Sequence, residues 1–238
     1  MKKFSLLLSF LLFVSLGYAQ QAKYVFYFIG DGMGVNQVQG TELYRGELEG
    51  KIGITPIWFT QFPYATTATT FSATNGVTDS AAAGTALASG NKTQNGTIGM
   101  KQDQQTDVNS IAVWAKDKGC RVGVTTSVSV DHATPAAFYA HDPSRGSYYK
   151  IGKDLYTAGF DFYAGSDFLD PTNKEDKSGT SENLYSLAEK NGYVIARGYK
   201  DYLKKCKKAD KMILFQSEKA SEADRTAVSY THLTLPTK

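Results

Sequence analysis

Short β-rich runs alternate with helical stretches along almost the entire chain, and this alternation constrains the fold more than any other feature. Residues 24–29 (YVFYFI), 121–126 (RVGVTT), 160–164 (FDFYA), 193–196 (YVIA) and 212–215 (MILF) read as buried strands. Residues 107–118, 148–158, 181–190 and 200–208 carry helical patterns between them. Strand, helix, strand in repetition builds βαβ units. The expectation is an α/β fold with a mostly parallel central sheet and helices on both faces. Polar stretches at 94–105 and 169–180 read as exposed connections, and no segment reads as an interdomain linker. In open sheets of this kind ligands gather at the carboxyl ends of the strands. That rule singles out the turn after Ile29, the start of a helix near Ser80, and the segment after Thr126.

The first residues lie outside this pattern. Lys2 and Lys3 precede an apolar run at 4–16 that is too short to span a bilayer comfortably, followed by Gly17-Tyr18-Ala19. Residues 1–19 therefore read as a signal peptide cleaved after Ala19, and the mature chain as an exported, periplasmic or secreted protein. No cysteine follows the apolar run, so no lipid anchor is expected once the leader is removed. Cys120 and Cys206 lie far apart without framework spacing and are not expected to pair. A net charge of +3 without a basic stripe interleaved with aromatics argues against a nucleic-acid partner.

At the first of the three places, the strand ends in Gly30-Asp31-Gly32-Met33-Gly34, a turn that presents Asp31 at the sheet edge. A dinucleotide fingerprint would need another glycine where Gln37 stands, and the later run ending Gly90-Asn91-Lys92-Thr93 is not a phosphate-binding P-loop. At the second place, Thr78-Asp79-Ser80 heads an alanine-rich run, so Ser80 is expected near a helix N-terminus, where unpaired N–H groups favour negative charge. Asp79 or Ser80 as a simple N-cap is the ordinary alternative. The third place reads Asp131-His132-Ala133-Thr134-Pro135, with His141 and Arg145 following. Thr134 offers a hard oxygen, His132 a nitrogen, and Arg145 a planar fork suited to two phosphate oxygens. Taken singly, His132 fits a turn histidine and Arg145 a surface ion pair equally well.

Taken in order, GDGMG, VTDSAAAGTA, HATPAAFYAH and Arg145 resemble the alkaline phosphatase family from about Tyr24 to at least Gly165. DSAAAGTA, which matches the pattern around that family's nucleophilic serine, is the most diagnostic segment. The resemblance implies hydrolysis of small phosphomonoesters through a phosphoserine intermediate on Ser80, at a site with two Zn2+ and one Mg2+. Asp31, Ser80, His132 and Thr134 are the metal ligands it implies, and Arg145 grips the non-transferring phosphate oxygens. Asp79 is implied only as support at the helix terminus. His132 stands where some members carry aspartate, which leaves the metal preference of the third site open. The family's habit of dimerising allows a homodimer of the intact enzyme.

Two other readings compete. One is a phosphodiesterase- or phosphomutase-like relative on the same fold; a sulfatase is excluded because no Cys/Ser-x-Pro-x-Arg motif occurs. The other is a non-catalytic binder of phosphorylated ligands. The donors at hand are also too few for three metal ions, since the chain has only His132, His141 and His232. The expectation is an incomplete enzyme. Residues 20–227 would form the N-terminal part of a single α/β domain, and residues 228–238 (SYTHLTLPTK and the preceding valine) a non-native tail.

Overall fold

The computed structural model describes residues 22–217. The expected signal peptide and C-terminal tail lie outside these residues. Four parallel strands form one sheet: β1 (Gly123–Thr125), β2 (Phe162–Gly165), β3 (Tyr193–Arg197) and β4 (Lys211–Phe215), in the order β1-β2-β4-β3. The helices are α1 (Val35–Leu48), α2 (Ser80–Ser89), α3 (Ile111–Asp117), α4 (Ala133–Ala136), α5 (Tyr148–Ala158), α6 (Leu184–Lys190) and α7 (Gly198–Lys205).

The chain steps from β1 to β2 and on to β3 in one direction, then back to β4. With right-handed crossovers, α5 and α6 fall on one face and α7 on the other. The Tyr156 hydroxyl ties α5 to α6, donating to the Leu184 carbonyl at 2.5 Å. Ile151 and Leu155 of α5, Leu184 of α6, Tyr163 of β2 and Ile213 of β4 are fully buried together with Phe160. The alternation in the sequence thus produces the expected α/β sheet with helices on both faces.

Several boundaries differ from the sequence reading, each for a local reason. The helix expected from 107 begins at Ile111, because the Ser110 hydroxyl caps it by accepting from Val113 N–H. The helix expected from 181 begins at Leu184, with Asn183 accepting from Tyr185 N–H. Helix α1 escapes the sequence reading. Its buried residues are Glu42 and Gly46, so no apolar stripe marks it. Glu42 instead accepts from Ile57 N–H and the Thr60 hydroxyl, holding the helix to its own following segment.

The largest correction concerns residues 24–29, which are not a strand. A strand exists only through a ladder to a neighbour, and no described strand pairs with this run. Its Tyr24, Val25, Phe26 and Phe28 side chains are largely exposed; Phe26 and Phe28 stack on each other, and Tyr27 packs edge-on against Phe138. Cys120 and Cys206 are free thiols. No helix among the described residues is long and apolar enough to cross a membrane.

Candidate active site

The site is built around the N-terminus of α2. Ser80 is the first residue of that helix, and Asp79 is its N-cap, with Oδ1 accepting from Ala82 N–H at 2.9 Å. The run that follows buries Ala81, Ala82, Gly84, Thr85 and Ala88. Small side chains allow this helix to lie close against α4. A Cβ on Gly84 would stand 3.0 Å from the Ala137 methyl and 3.7 Å from Thr134 Cα.

Close packing brings three segments to one carboxylate. The Ser80 hydroxyl donates to Asp31 Oδ1 at 3.3 Å, and the Thr134 hydroxyl donates to Asp31 Oδ2 at 2.7 Å. Asp31 sits in the turn after the 24–29 run, which holds its place although the run itself has no ladder. His132 is the N-cap of α4 and nearly buried, and its Nδ1 has no hydrogen-bond partner among the described residues. Burial lowers the imidazole pKa; the positive charge of Arg145 lowers it further, and Asp31 opposes both. The ring is therefore held toward its neutral form, the form that coordinates a metal.

Arg145 approaches from the other side. Its Nη1 donates to Asp79 Oδ2 at 3.0 Å, and the same oxygen accepts from Gly96 N–H at 3.0 Å. Burial pushes the Asp79 pKa up, but the Ala82 N–H, the Arg145 guanidinium and the Gly96 N–H outweigh it and leave the carboxyl below its ordinary range. The structure thus places Asp31, Ser80 and Thr134 in direct contact, with His132 and Arg145 within electrostatic reach.

Two neighbours carry more than the sequence reading gave them. Asp79, read as a helix support only, also pairs with the arginine. Asp131, quoted in the motif without a role, is fully buried; Oδ2 accepts from Leu169 N–H at 2.9 Å, and burial pushes its pKa up to about 6. The residue types and the motif order could have suggested the Asp79–Arg145 pair. The fixing of the 167–171 loop by Asp131 had no sequence signal.

The donors fit a divalent cation in part. A carboxylate and two hydroxyls supply hard oxygens, and His132, two residues before Thr134, carries a buried imidazole nitrogen without a partner among the described residues. Among the described residues no group of three or more histidine, cysteine, aspartate or glutamate side chains is arranged to hold a metal. The set suits one oxygen-preferring ion with water completing its shell, and falls short of two zinc sites besides.

A serine at a helix N-terminus is tied to a carboxylate, and an arginine is paired with the cap of the same helix, in a protein built on a parallel α/β sheet. The alkaline phosphatase family profile matches residues 22–159, and the chain belongs to that family. It is 39% identical over 132 residues to alkaline phosphatase 4 of Drosophila melanogaster, covering 52% of this chain and 22% of that protein. Among solved structures it is similar to the alkaline phosphatase of the Antarctic bacterium TAB5, with a TM-score of 0.67 and 30% identity over 79% of this chain and 52% of that one. A histidine-to-aspartate variant of the TAB5 enzyme, with magnesium bound in its M3 site, gives 0.59 and 31%, covering 67% of this chain and 44% of that one. The chain thus spans about a fifth of the curated relative's length and about half of the TAB5 chain.

Proposed function

We propose that this chain carries the nucleophile and phosphate-gripping part of a phosphomonoesterase site. The observation that supports it most is the meeting of Ser80 Oγ with Asp31 at the head of α2 while Asp79 holds Arg145 alongside. In the proposed reaction Ser80 Oγ gives up its hydroxyl proton to solvent and forms a bond to phosphorus as the ester P–O bond breaks, and the leaving alkoxide takes up a proton from solvent. Water then attacks the phosphoserine, releasing inorganic phosphate and restoring the Ser80 hydroxyl. Arg145 binds two non-transferring oxygens through its fork. The N–H groups at the start of α2 add favourable dipoles.

Asp31, Ser80, His132 and Thr134 would hold metal. By family, the complement is two Zn2+ and one Mg2+. Bound divalent ions would supply Lewis acidity, making the serine hydroxyl a competent nucleophile and stabilising the leaving oxygen. The donors described support the Mg2+ position best, and with them alone the chain is expected to lack two tightly held zinc ions. The family reading also carries export to the periplasm or medium.

In an intact enzyme that carries this segment with its full metal complement, incubation with radiolabelled phosphate and acid quenching tests the nucleophile. Label on Ser80, lost in Ser80→Ala, is the expected result. Incorporation at the same level in Ser80→Ala would overturn the assignment.

A further inference from the structure

We propose that Gly96 is a positioning residue that sets where Arg145 stands relative to Ser80. This rests on the reading of Arg145 as the phosphate-gripping group. Gly96 joins two parts of the site through its backbone: its N–H donates to Asp79 Oδ2 at 3.0 Å, and its carbonyl accepts from the Arg145 backbone N–H at 2.7 Å. Asp79 Oδ2 accepts from Arg145 Nη1 as well, which closes a ring of three hydrogen bonds. One side of that ring is the cap of the Ser80 helix, and the other is the backbone that carries the arginine.

The strap around Arg145 is hung on the same segment. Ile98 and Asp142 exchange both backbone hydrogen bonds, at 2.8 and 2.9 Å, an isolated antiparallel bridge that holds the two segments together beside the Arg145–Gly96 bond. Gly96 is where this pairing of segments reaches the helix cap. Its φ is +87°, and a Cβ there would meet nothing within 4 Å. Space is therefore not what requires glycine; the backbone conformation is. A side chain favours negative φ, and the turn that follows carries either the N–H away from Asp79 or the carbonyl away from Arg145.

The test compares Gly96→Ala with Gly90→Ala in the full chain. Gly90 has φ +74°, also faces open space, and ends α2 away from Arg145, so it imposes similar strain elsewhere. Two quantities are read: the exchange rate of the Arg145 guanidinium protons by NMR, and the affinity for inorganic phosphate by calorimetry. Gly96→Ala is expected to speed the exchange and to weaken phosphate binding about five- to tenfold, the size of one lost hydrogen bond. Gly90→Ala should change neither. In an Arg145→Ala background, Gly96→Ala should cost no further phosphate affinity, because its effect runs through the arginine. If Gly96→Ala does not fold, Gly96→Asn, which tolerates left-handed backbone, should show the same direction at smaller size. Unchanged exchange in a folded Gly96 variant, equal acceleration in Gly90→Ala, or an undiminished effect without Arg145 would each overturn the proposal. Absence of phosphate binding by the unsubstituted chain would count against the functional reading, and the exchange measurement alone would then decide the role of Gly96.

Discussion

Thr134 Oγ1 donates to Asp31 Oδ2 at 2.7 Å, a contact that spans 103 positions of sequence. It joins the turn after the first extended run to helix α4, and the Ser80 hydroxyl meets the other oxygen of the same carboxylate. Thr134→Val keeps the shape of the side chain and removes the donor. Hydrogen bonds to charged groups contribute about 1.5–3 kcal/mol, and partial exposure places this one at the low end. Urea unfolding should show a loss of that size, and a magnesium titration should show weaker binding. A variant with unchanged magnesium affinity would remove Thr134 from the ligand set.

The Asp79–Arg145 pair yields a second prediction. Arg145→Ala should weaken phosphate binding by tens to hundreds of fold, the loss of a charge-assisted grip with a net worth of roughly 1.5–3 kcal/mol. Asp79→Ala acts differently. It frees the guanidinium but removes the cap on α2, which costs about 1 kcal/mol of stability. Calorimetry with inorganic phosphate should therefore separate the two, with a much smaller loss of affinity for Asp79→Ala. Equal losses would mean that the arginine works only when Asp79 holds it.

His132→Asp should strengthen magnesium binding. The imidazole offers one nitrogen, held toward its neutral form by burial and by Arg145, whereas aspartate adds a hard anionic oxygen beside Asp31. A titration showing equal or weaker magnesium affinity would refute the expectation.

A pH effect follows from Asp161, which braces the sheet. Its carboxylate accepts from Lys116, Arg121 and Val122 N–H, tying α3 and the start of β1 to the start of β2. Burial raises its pKa, but these three donors outweigh it and bring it down to about 2. The unfolded value is about 3.9. The folded pKa is the lower one, so the contribution is complete above about pH 4 and is lost as pH falls through about 2. Denaturant unfolding at pH 5 and pH 2.5 should show a larger acid loss for the native chain than for Asp161→Asn. Equal losses would place acid sensitivity elsewhere.

The parts of this protein that were legible in its sequence are those whose signal is local. Strands β2, β3 and β4 announce themselves as short apolar runs between helices, and Asp79-Ser80 followed by alanines announces a capped helix. Motif order brought Asp31, Ser80, His132, Thr134 and Arg145 into one list, and the structure gathers them. Features set by distant partners were not legible. The run at 24–29 has the composition of a buried strand, yet composition cannot supply the neighbouring ladder that makes one. Helix α1 is held by Glu42 through hydrogen bonds rather than by an apolar stripe, so periodicity passed over it. The role of Gly96 lies in a backbone angle and two backbone atoms, which leave no mark beyond the identity of the residue.

The spacing of Ser80 and Thr134 around Asp31 depends on how closely α2 and α4 approach, and Gly84 sets the limit. It lies one turn after Ser80 on the same side of α2, and an added Cβ would stand 3.0 Å from the Ala137 methyl. Two effects oppose each other in Gly84→Ala. Alanine is better than glycine inside a helix by about 1 kcal/mol. Overfilling a tight contact costs about 1–3 kcal/mol. The contact is expected to win, giving a folded variant that is less stable and binds magnesium more weakly, because the helices separate by a few tenths of an ångström. Ala137→Gly removes the opposing methyl at the end of α4. The double variant Gly84→Ala/Ala137→Gly should therefore recover both stability and magnesium affinity relative to Gly84→Ala alone. A Gly84→Ala protein that gains about 1 kcal/mol and keeps its magnesium affinity would show that helix propensity, not the α2–α4 contact, governs this position.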